Sequence, residues 1–343
     1  MNTRFPTPYN ARYIIHIVMS CLIFGGTLLF SPFLGRSIPL SEAWAQAQTP
    51  VSTRSSLPRP DHIVIVLEEN KGYTDIIGSP DAPYLNSLVT QGALLTNFYA
   101  LHHPSQPNYL ELFSGSNQGI CNDSCATSQL SAPSLGENLI KQGLSFIGYA
   151  EDLPTPPSGS SWNSICKKGY YALKHCPWIY FKDIPASSSL DFTRFPSDPT
   201  GFASLPTVSF VIPNLIHDMH SLPLGFKAFS HSIPQEVTNG DVWLKSNLDA
   251  YVQWAKIHNS LLIVTWDEDS LRYKYPENCA QAINTQPPQN HIVTILVGAM
   301  VTPGAKSTLQ YDHHDLLRTI EEMYGLPLIG ESQHAKVITG IWK

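Results

Sequence analysis

Charge is scarce in this chain. Asp, Glu, Lys and Arg make up 14% of its 343 residues, and the 21 basic ones nowhere gather into a stripe or cluster. A nucleic-acid-binding role needs such a positive face, so that class of function is excluded. No internal repeat is visible, which removes the repeat arrays. Low complexity is confined to a short Pro/Ser/Thr-rich stretch at 46–60, and 43% of the residues are hydrophobic, so a disordered chain is excluded as well. What is plentiful is proline (28) and glycine (21), which favours long ordered loops over a helix bundle.

The longest apolar run, 14–30, follows Arg4 and Arg12 and precedes Ala43, Ala45 and Ala47. Basic, apolar, then Ala-x-Ala is the order of a secretory signal, which places residues 1–45 in a leader and the mature protein outside the cytoplasm. The stretch between Phe30 and Ala45 is long for a signal and contains Arg36, so an uncleaved membrane anchor through 14–30 stays open. Cysteine usage fits export. Cys121 with Cys125, and Cys166 with Cys176, sit in loop-like sequence and read as two disulfide staples, with Cys279 left over. A zinc cluster is the competing reading, and the spacings match no familiar finger.

Beyond the linker at 46–60, apolar β-branched runs predict strands at 62–67, 93–98, 144–149, 207–212, 261–266 and 292–297. Helical patterns fall at 84–90, 135–142, 237–257 and 315–324. The alternation predicts an α/β fold, a central mostly parallel sheet with helices on both faces, in a single domain over 61–343. Residues 152–205 break the rhythm and read as a loop-rich insertion over the site.

Polar residues collect just after the predicted strands: Glu68-Glu69-Asn70, His102 to Asn108, Glu151-Asp152, Asn214 to His220, and Asp267-Glu268-Asp269, with Asp312-His313-His314-Asp315 before the last helix. Ligands of open α/β sheets bind outside the carboxyl ends of the strands. Taken singly, each cluster is a solvated turn, a cap or a surface pair. Together, acids and histidines recurring at one edge form the donor set of a hard or borderline metal ion. Ser105 stands where a helix begins, ahead of Pro107 and Asn108. As a plain N-cap it needs no chemistry. As a nucleophile it would attack a phosphate held by the helix N-terminus, with a metal lowering its pKa and His103 or Asn108 touching phosphate oxygens.

At Glu69-Asn70, His103-Pro-Ser-Gln-Pro-Asn-Tyr109, Tyr149-Ala-Glu-Asp152, Asp218-Met-His220, Trp266-Asp-Glu268, Asn290-His291 and His313 with Leu317 to Glu321, the chain resembles the phosphoesterase family of bacterial acid phosphatases and phospholipases C, within the alkaline phosphatase superfamily. The resemblance spans most of 61–326. It implies an alkaline-phosphatase-like fold and a phosphoseryl intermediate on Ser105. It also implies a divalent ion, with Ca, Mg, Mn and Zn all open, ligated by Glu69, Asn70, Ser105, Asp267 and Glu268. Asp218, His220 and His313 are the candidates for a second ion or for direct phosphate contact. His220 and His313 are also candidate catalytic groups. His103, Asn108, His175 and His291 are candidate substrate-binding residues. The compact chain looks more like the small secreted acid or phosphatidylinositol-3-phosphate phosphatases than the larger phospholipases. The expected partner is therefore a phosphate monoester, with a phospholipid head group among the candidates and membrane contact only through such a lipid or the N-terminal segment. Three rivals stand beside this reading: a phospholipase C-type diesterase, a glycosidase using Glu69 and Asp267, and a non-catalytic metal-binding surface protein.

Overall fold

A computed structural model of the chain describes residues 57–125, 128–155, 165–220, 233–270 and 289–343. The leader, residues 46–56 of the linker and Cys279 lie outside the described residues. Among those described, no helix is long and apolar enough to cross a membrane.

The strands are β1 (His62–Glu68), β2 (Ala93–Tyr99), β3 (Phe146–Ala150), β4 (Lys167–Lys168), β5 (Tyr171–Ala172), β6 (Ser189–Asp191), β7 (Val208–Ile212), β8 (Ser260–Trp266), β9 (His291–Gly298) and β10 (Ala305–Asp312). The helices are α1 (Tyr73–Ile76), α2 (Pro83–Gln91), α3 (Ser105–Ser114), α4 (Leu135–Lys141), α5 (Pro199–Phe202), α6 (Ile233–Ala255) and α7 (His313–Tyr324). One sheet runs β10-β2-β9-β8-β1-β7-β3-β6. β9 is antiparallel to β8 and β2, and the other pairings within the sheet are parallel. Two helix groups flank it: α1, α2 and α5 pack with α6, while α4 and α7 pack with α3. The expected α/β fold with a mostly parallel sheet is the observed one.

Burial explains which runs became central strands. Ile63 to Leu67 and Leu261 to Trp266 are buried on both faces. Each buried Val, Leu or Ile contributes about 1.5–3 kcal/mol relative to an exposed one. Parallel strands bring their carboxyl ends to one edge, so the clusters after β1, β2, β3, β7, β8 and β10 meet there. β9, running the other way, brings its amino end and Asn290 to the same edge.

Three features differ from the sequence expectations. β10 was not predicted, because it is an outer strand whose Thr308, Leu309 and Gln310 face solvent and whose pattern is polar. The 152–205 segment, read as a loop-rich insertion, supplies β6, which pairs with β3 and becomes the outermost strand of the sheet. The cysteine pairing is also different. Cys125 is joined to Cys166, with Cα atoms 5.7 Å apart, stapling the loop after α3 to the insertion. Cys121 is disulfide-bonded as well, whereas Cys176 is a buried free thiol. Closeness in sequence misled here. Cys176 opens a 3-10 turn packed in the core beside Tyr171, and burial pushes its thiol pKa up.

Candidate functional site

Ser105 is the first residue of α3, and the turn leading to it is built by two asparagines. Asn108 Oδ1 accepts from the backbone N–H of Leu101 (3.1 Å) and His102 (2.9 Å), and its amide donates to His102 O (2.9 Å). Asn290, from the start of β9, donates to the same carbonyl (2.8 Å). These contacts make Asn108 a brace of the turn that leads to Ser105, and the phosphate contact expected of it finds no support in them.

The Ser105 hydroxyl lies 3.1 Å from Glu69 Oε2 and 2.9 Å from Glu268 Oε1. One hydroxyl proton serves one of these carboxylates at a time, so three oxygens crowd together with a single hydrogen among them. Glu69 is the hub. Its Oε2 also accepts from Asn70 Nδ2 (2.9 Å), and its Oε1 accepts from the Tyr109 hydroxyl (2.5 Å) and lies 2.9 Å from His175 Nε2. Asn70 N donates to Asp267 Oδ1 at 3.2 Å, closing the circle from β1 to β8. Backbone bonds fix the loops further: Glu69 N to Asp218 O (2.6 Å) and Asp267 N to Glu68 O (3.0 Å).

All of these carboxylates are buried. Glu69, Asp218 and Asp267 are 0% exposed and Glu268 is 1%. Burial opposes ionising Glu69, yet His175, with Lys174 and His220 farther off, holds its carboxyl well below the usual range. Burial pushes Asp267 up, reinforced by the charges of Glu69 and Glu268. Burial also raises Glu268, and Glu69 adds to the rise while His103 opposes it. Burial alone would lower His103, but Asp269 (3.4 Å) and Glu268 (2.5 Å) carry it up to about 9. His175 behaves likewise between Glu69 and Asp218, reaching about 9 despite its burial. Both imidazoles are therefore cations at neutral pH, facing an excess of acids.

The remaining candidates divide into those within the cluster and those beside it. Asp218 reaches it through His175 Nδ1 (3.5 Å), and Asp218 Oδ1 accepts from the backbone N–H of His220 (2.8 Å). His220 lies with its ring 6.3 Å from that of His175. His313 is fully buried at the start of α7. The reciprocal cap between Asp312 and Asp315 fixes it there, with Nε2 2.9 Å from the Trp266 carbonyl and the ring edge-on to Phe98. Burial lowers its pKa to about 4. His291 is stacked between Tyr73 (4.4 Å) and Tyr99 (4.9 Å) and bonded to the Thr96 carbonyl. None of these contacts joins His291 to Ser105, or His313 to Asp218 and His220.

Sequence reasoning passed over Lys71, which follows Glu69-Asn70. It is 1% exposed. Its ammonium donates to Met219 O (2.5 Å) and Asn70 O (3.2 Å) and lies 3.0 Å from Glu236 Oε2 on α6. Asn70 (φ 53°) and Met219 (φ 69°) both adopt left-handed backbone, which costs about 1 kcal/mol or more unless held. Lys71 thus clamps the two loops that carry Glu69 and Asp218. Lys71→Met is expected to cost about 3–5 kcal/mol of stability by breaking the buried pair with Glu236 and the ties to both loops. Where the protein is still folded, kcat should also fall, by about 10–100-fold. Urea unfolding together with turnover well below the midpoint checks both. An unchanged kcat in the folded variant would reduce Lys71 to a packing residue.

Glu68, placed by the sequence in the same cluster but given no role there, has both carboxylate oxygens buried without hydrogen-bond partners. Burial, with Asp218 and Asp241 nearby, pushes its pKa well above the usual carboxylate range.

The chain is similar to known proteins. The chain is 40% identical over 304 residues to a phosphatidylinositol-3-phosphatase of Mycobacterium tuberculosis, covering 88% of this chain and 90% of that protein. It is 26% identical to an acid phosphatase of Aspergillus fumigatus, covering 76% of this chain and 54% of that one. Among solved structures, a Vibrio parahaemolyticus protein of the alkaline phosphatase superfamily shares the fold, with a TM-score of 0.55, 14% identity, and coverage of 83% of this chain and 72% of that one. The Phosphoesterase family model matches residues 78–327, the span that carries the Ser105 turn, the Asp218 loop and the Asp267-Glu268 pair, and the chain belongs to that family.

Proposed function

We propose that this phosphoric ester hydrolase is an exported phosphomonoesterase that works through a phosphoserine at Ser105, with a divalent metal ion held beside it. The observation that carries this reading is the Ser105 hydroxyl set between Glu69 and Glu268 at the amino end of a helix. The positive end of the helix dipole there favours a phosphate.

The donor set suits a hard cation. Asn70 Oδ1 and Asp267 Oδ2 are buried without a hydrogen-bond partner, and Ser105, Glu69 and Glu268 add oxygens to them. Among the described residues, no three or more His, Cys, Asp or Glu side chains are arranged to hold an ion by themselves. The reading therefore draws on the serine and asparagine oxygens as well. An ion there supplies Lewis-acid polarisation of the phosphate and favours the ionised serine.

The chain's own groups do the rest. The Ser105 proton passes to Glu268 Oε1, whose carboxyl is held above the usual range and so accepts it more readily than Glu69. Ser105 Oγ forms the bond to phosphorus as the bond to the alcohol oxygen breaks, and that oxygen leaves as the alcohol with the proton Glu268 received. Water then attacks the phosphoserine, giving inorganic phosphate and restoring the hydroxyl. His220 is the candidate base for that water. His313, with Nε2 engaged by Trp266, is better suited to holding the end of β8. His103 and His175, both cationic, offset the charge that builds on the phosphoryl oxygens.

Export is supported by the Cys125–Cys166 disulfide together with the leader-like N-terminus. A phosphoinositide substrate is suggested by the mycobacterial relative's name. A panel of monoesters and diesters, including phosphatidylinositol 3-phosphate, run with added divalent ions, tests the reading. Monoesters are expected to turn over at least about tenfold faster than diesters in kcat/KM. A diester preference would instead favour the phospholipase C-type activity, and metal binding without turnover would make the chain a binding protein.

A further inference from the structure

The amino end of α3 is poor in donors for the start of a helix. The first four amides of a helix have no partner within it. Here Pro104 and Pro107 have no N–H, which leaves those of Ser105 and Gln106. The Gln106 amide is engaged by a carboxylate: Asp123 Oδ1, from the loop after α3, accepts it at 3.0 Å. The Gln106 side chain is buried as well, and its Nε2 has no hydrogen-bond partner. The residue after Ser105 thus carries two donors, and a carboxylate of this chain already holds one of them.

The other oxygen of that carboxylate, Asp123 Oδ2, holds the Lys174 ammonium at 2.5 Å. Two oxygens on one centre, bridging an amide at a helix start and an ammonium, are bound as a phosphoryl group is bound. Lys174 immediately precedes His175, whose Nε2 lies 2.9 Å from Glu69 Oε1. Burial opposes the charge of Lys174, but Glu69, Asp123 and Asp267 keep it protonated. Asp123, Lys174 and His220 line a cavity of about 390 Å3, which leaves room for an anion at this place. Asp123 is the partner that can turn away. Its side chain is 35% exposed against 17% for Lys174. Its carboxylate can therefore swing into water without moving the loop, which the Cys125–Cys166 bond staples to the insertion.

We propose that Lys174 and the Gln106 amide are phosphate-binding groups, and that the Asp123 carboxylate stands in for the phosphoryl group until an arriving phosphate displaces it. The proposal rests on the reading of Ser105 as the phosphate-accepting nucleophile. Lys174 is then a residue that touches substrate, and Asp123 sets how tightly phosphate is held. An internal competitor of this kind weakens substrate and product together, so inorganic phosphate is released readily once the phosphoserine is hydrolysed.

Calorimetric titration of the full chain with inorganic phosphate, a divalent ion being present, tests this without relying on turnover. Asp123→Ala is expected to tighten phosphate binding about tenfold and to lower KM for a chromogenic phosphate monoester in step. Asp123→Asn keeps the size of the side chain and an acceptor for Gln106, so it should tighten binding by only about threefold. In a Lys174→Met background the gain from Asp123→Ala should shrink to about twofold or less, because the ammonium is what the phosphate inherits. Affinity is read on the molecules that bind, so a partial loss of folded protein does not alter it, and Asp123→Asn serves if the alanine variant fails to fold. Unchanged or weaker phosphate binding in the Asp123 variants overturns the proposal and makes Asp123 a plain helix cap. A gain of full size in the Lys174→Met background overturns it too, since loss of a nearby negative charge would then account for the gain. Either outcome leaves the nucleophile reading intact. A wild type that neither binds phosphate nor hydrolyses a monoester overturns both.

Discussion

Ser105→Ala is expected to abolish phosphate release, lowering kcat by about 10⁴-fold or more, while the protein stays folded. The expectation follows from how little else at the site can act as nucleophile. The crowded oxygens around Ser105 belong to carboxylates already committed. Glu69 is bound by Tyr109, Asn70 and His175, and Glu268 lies against His103. Removing the hydroxyl deletes one hydrogen bond to a carboxylate, worth about 1.5–3 kcal/mol. It also relieves an oxygen–oxygen contact, so the melting temperature should move by only a few degrees. A chromogenic phosphate monoester assay beside a thermal melt checks this. Near-normal turnover in a folded Ser105→Ala protein would remove the nucleophile from the account.

Metal removal is expected to have an effect of similar size, and it should be visible in stability as well as in rate. Five acids at the strand ends, Glu68, Glu69, Asp218, Asp267 and Glu268, are 0–1% exposed. Burial pushes the carboxyls of Asp267 and Glu268 up, and the charge of Glu69 adds to the rise in both. A divalent ion would offset that penalty and compete with protons for those carboxyls. The sign follows directly. Protons compete for the same oxygens, so metal affinity should weaken as pH falls through the raised pKa values of Asp267 and Glu268. Chelation should remove activity and lower the melting temperature, and a divalent ion at about 100 times its Kd should return about 2.7 kcal/mol of stability. Glu69→Gln should lose both effects together. Full activity in chelated protein shown to be metal-free by elemental analysis would contradict the metal.

Most of the sheet was readable in the sequence for a physical reason. β1 and β8 are buried on both faces, so they are continuous apolar runs. Their acidic tails mark where the backbone leaves the core. β10 was unreadable because a strand at the sheet's edge needs no such run. The site divides in the same way. Ser105, Glu69 and Glu268 are in direct contact, and each lies at a chain position where strand gives way to loop or helix. Asn108 and His291 share motifs with those residues, yet their side chains hold backbone or stack on tyrosines. A motif records that a residue belongs to the site but not which atom it touches. Lys71 and the Cys125–Cys166 pair were hidden for a third reason. Both are long-range contacts, from β1 to α6 and from the α3 loop to the insertion, and local patterning carries no trace of either.

The central claim is a covalent one, and acid-quenched turnover followed by peptide mass spectrometry tests it most directly. The account predicts one added phosphoryl group on the peptide carrying Ser105 in the wild type, and none in Ser105→Ala. Steady turnover with no phosphoryl group trapped at any quench time, or a phosphoryl group found on another residue, would contradict it.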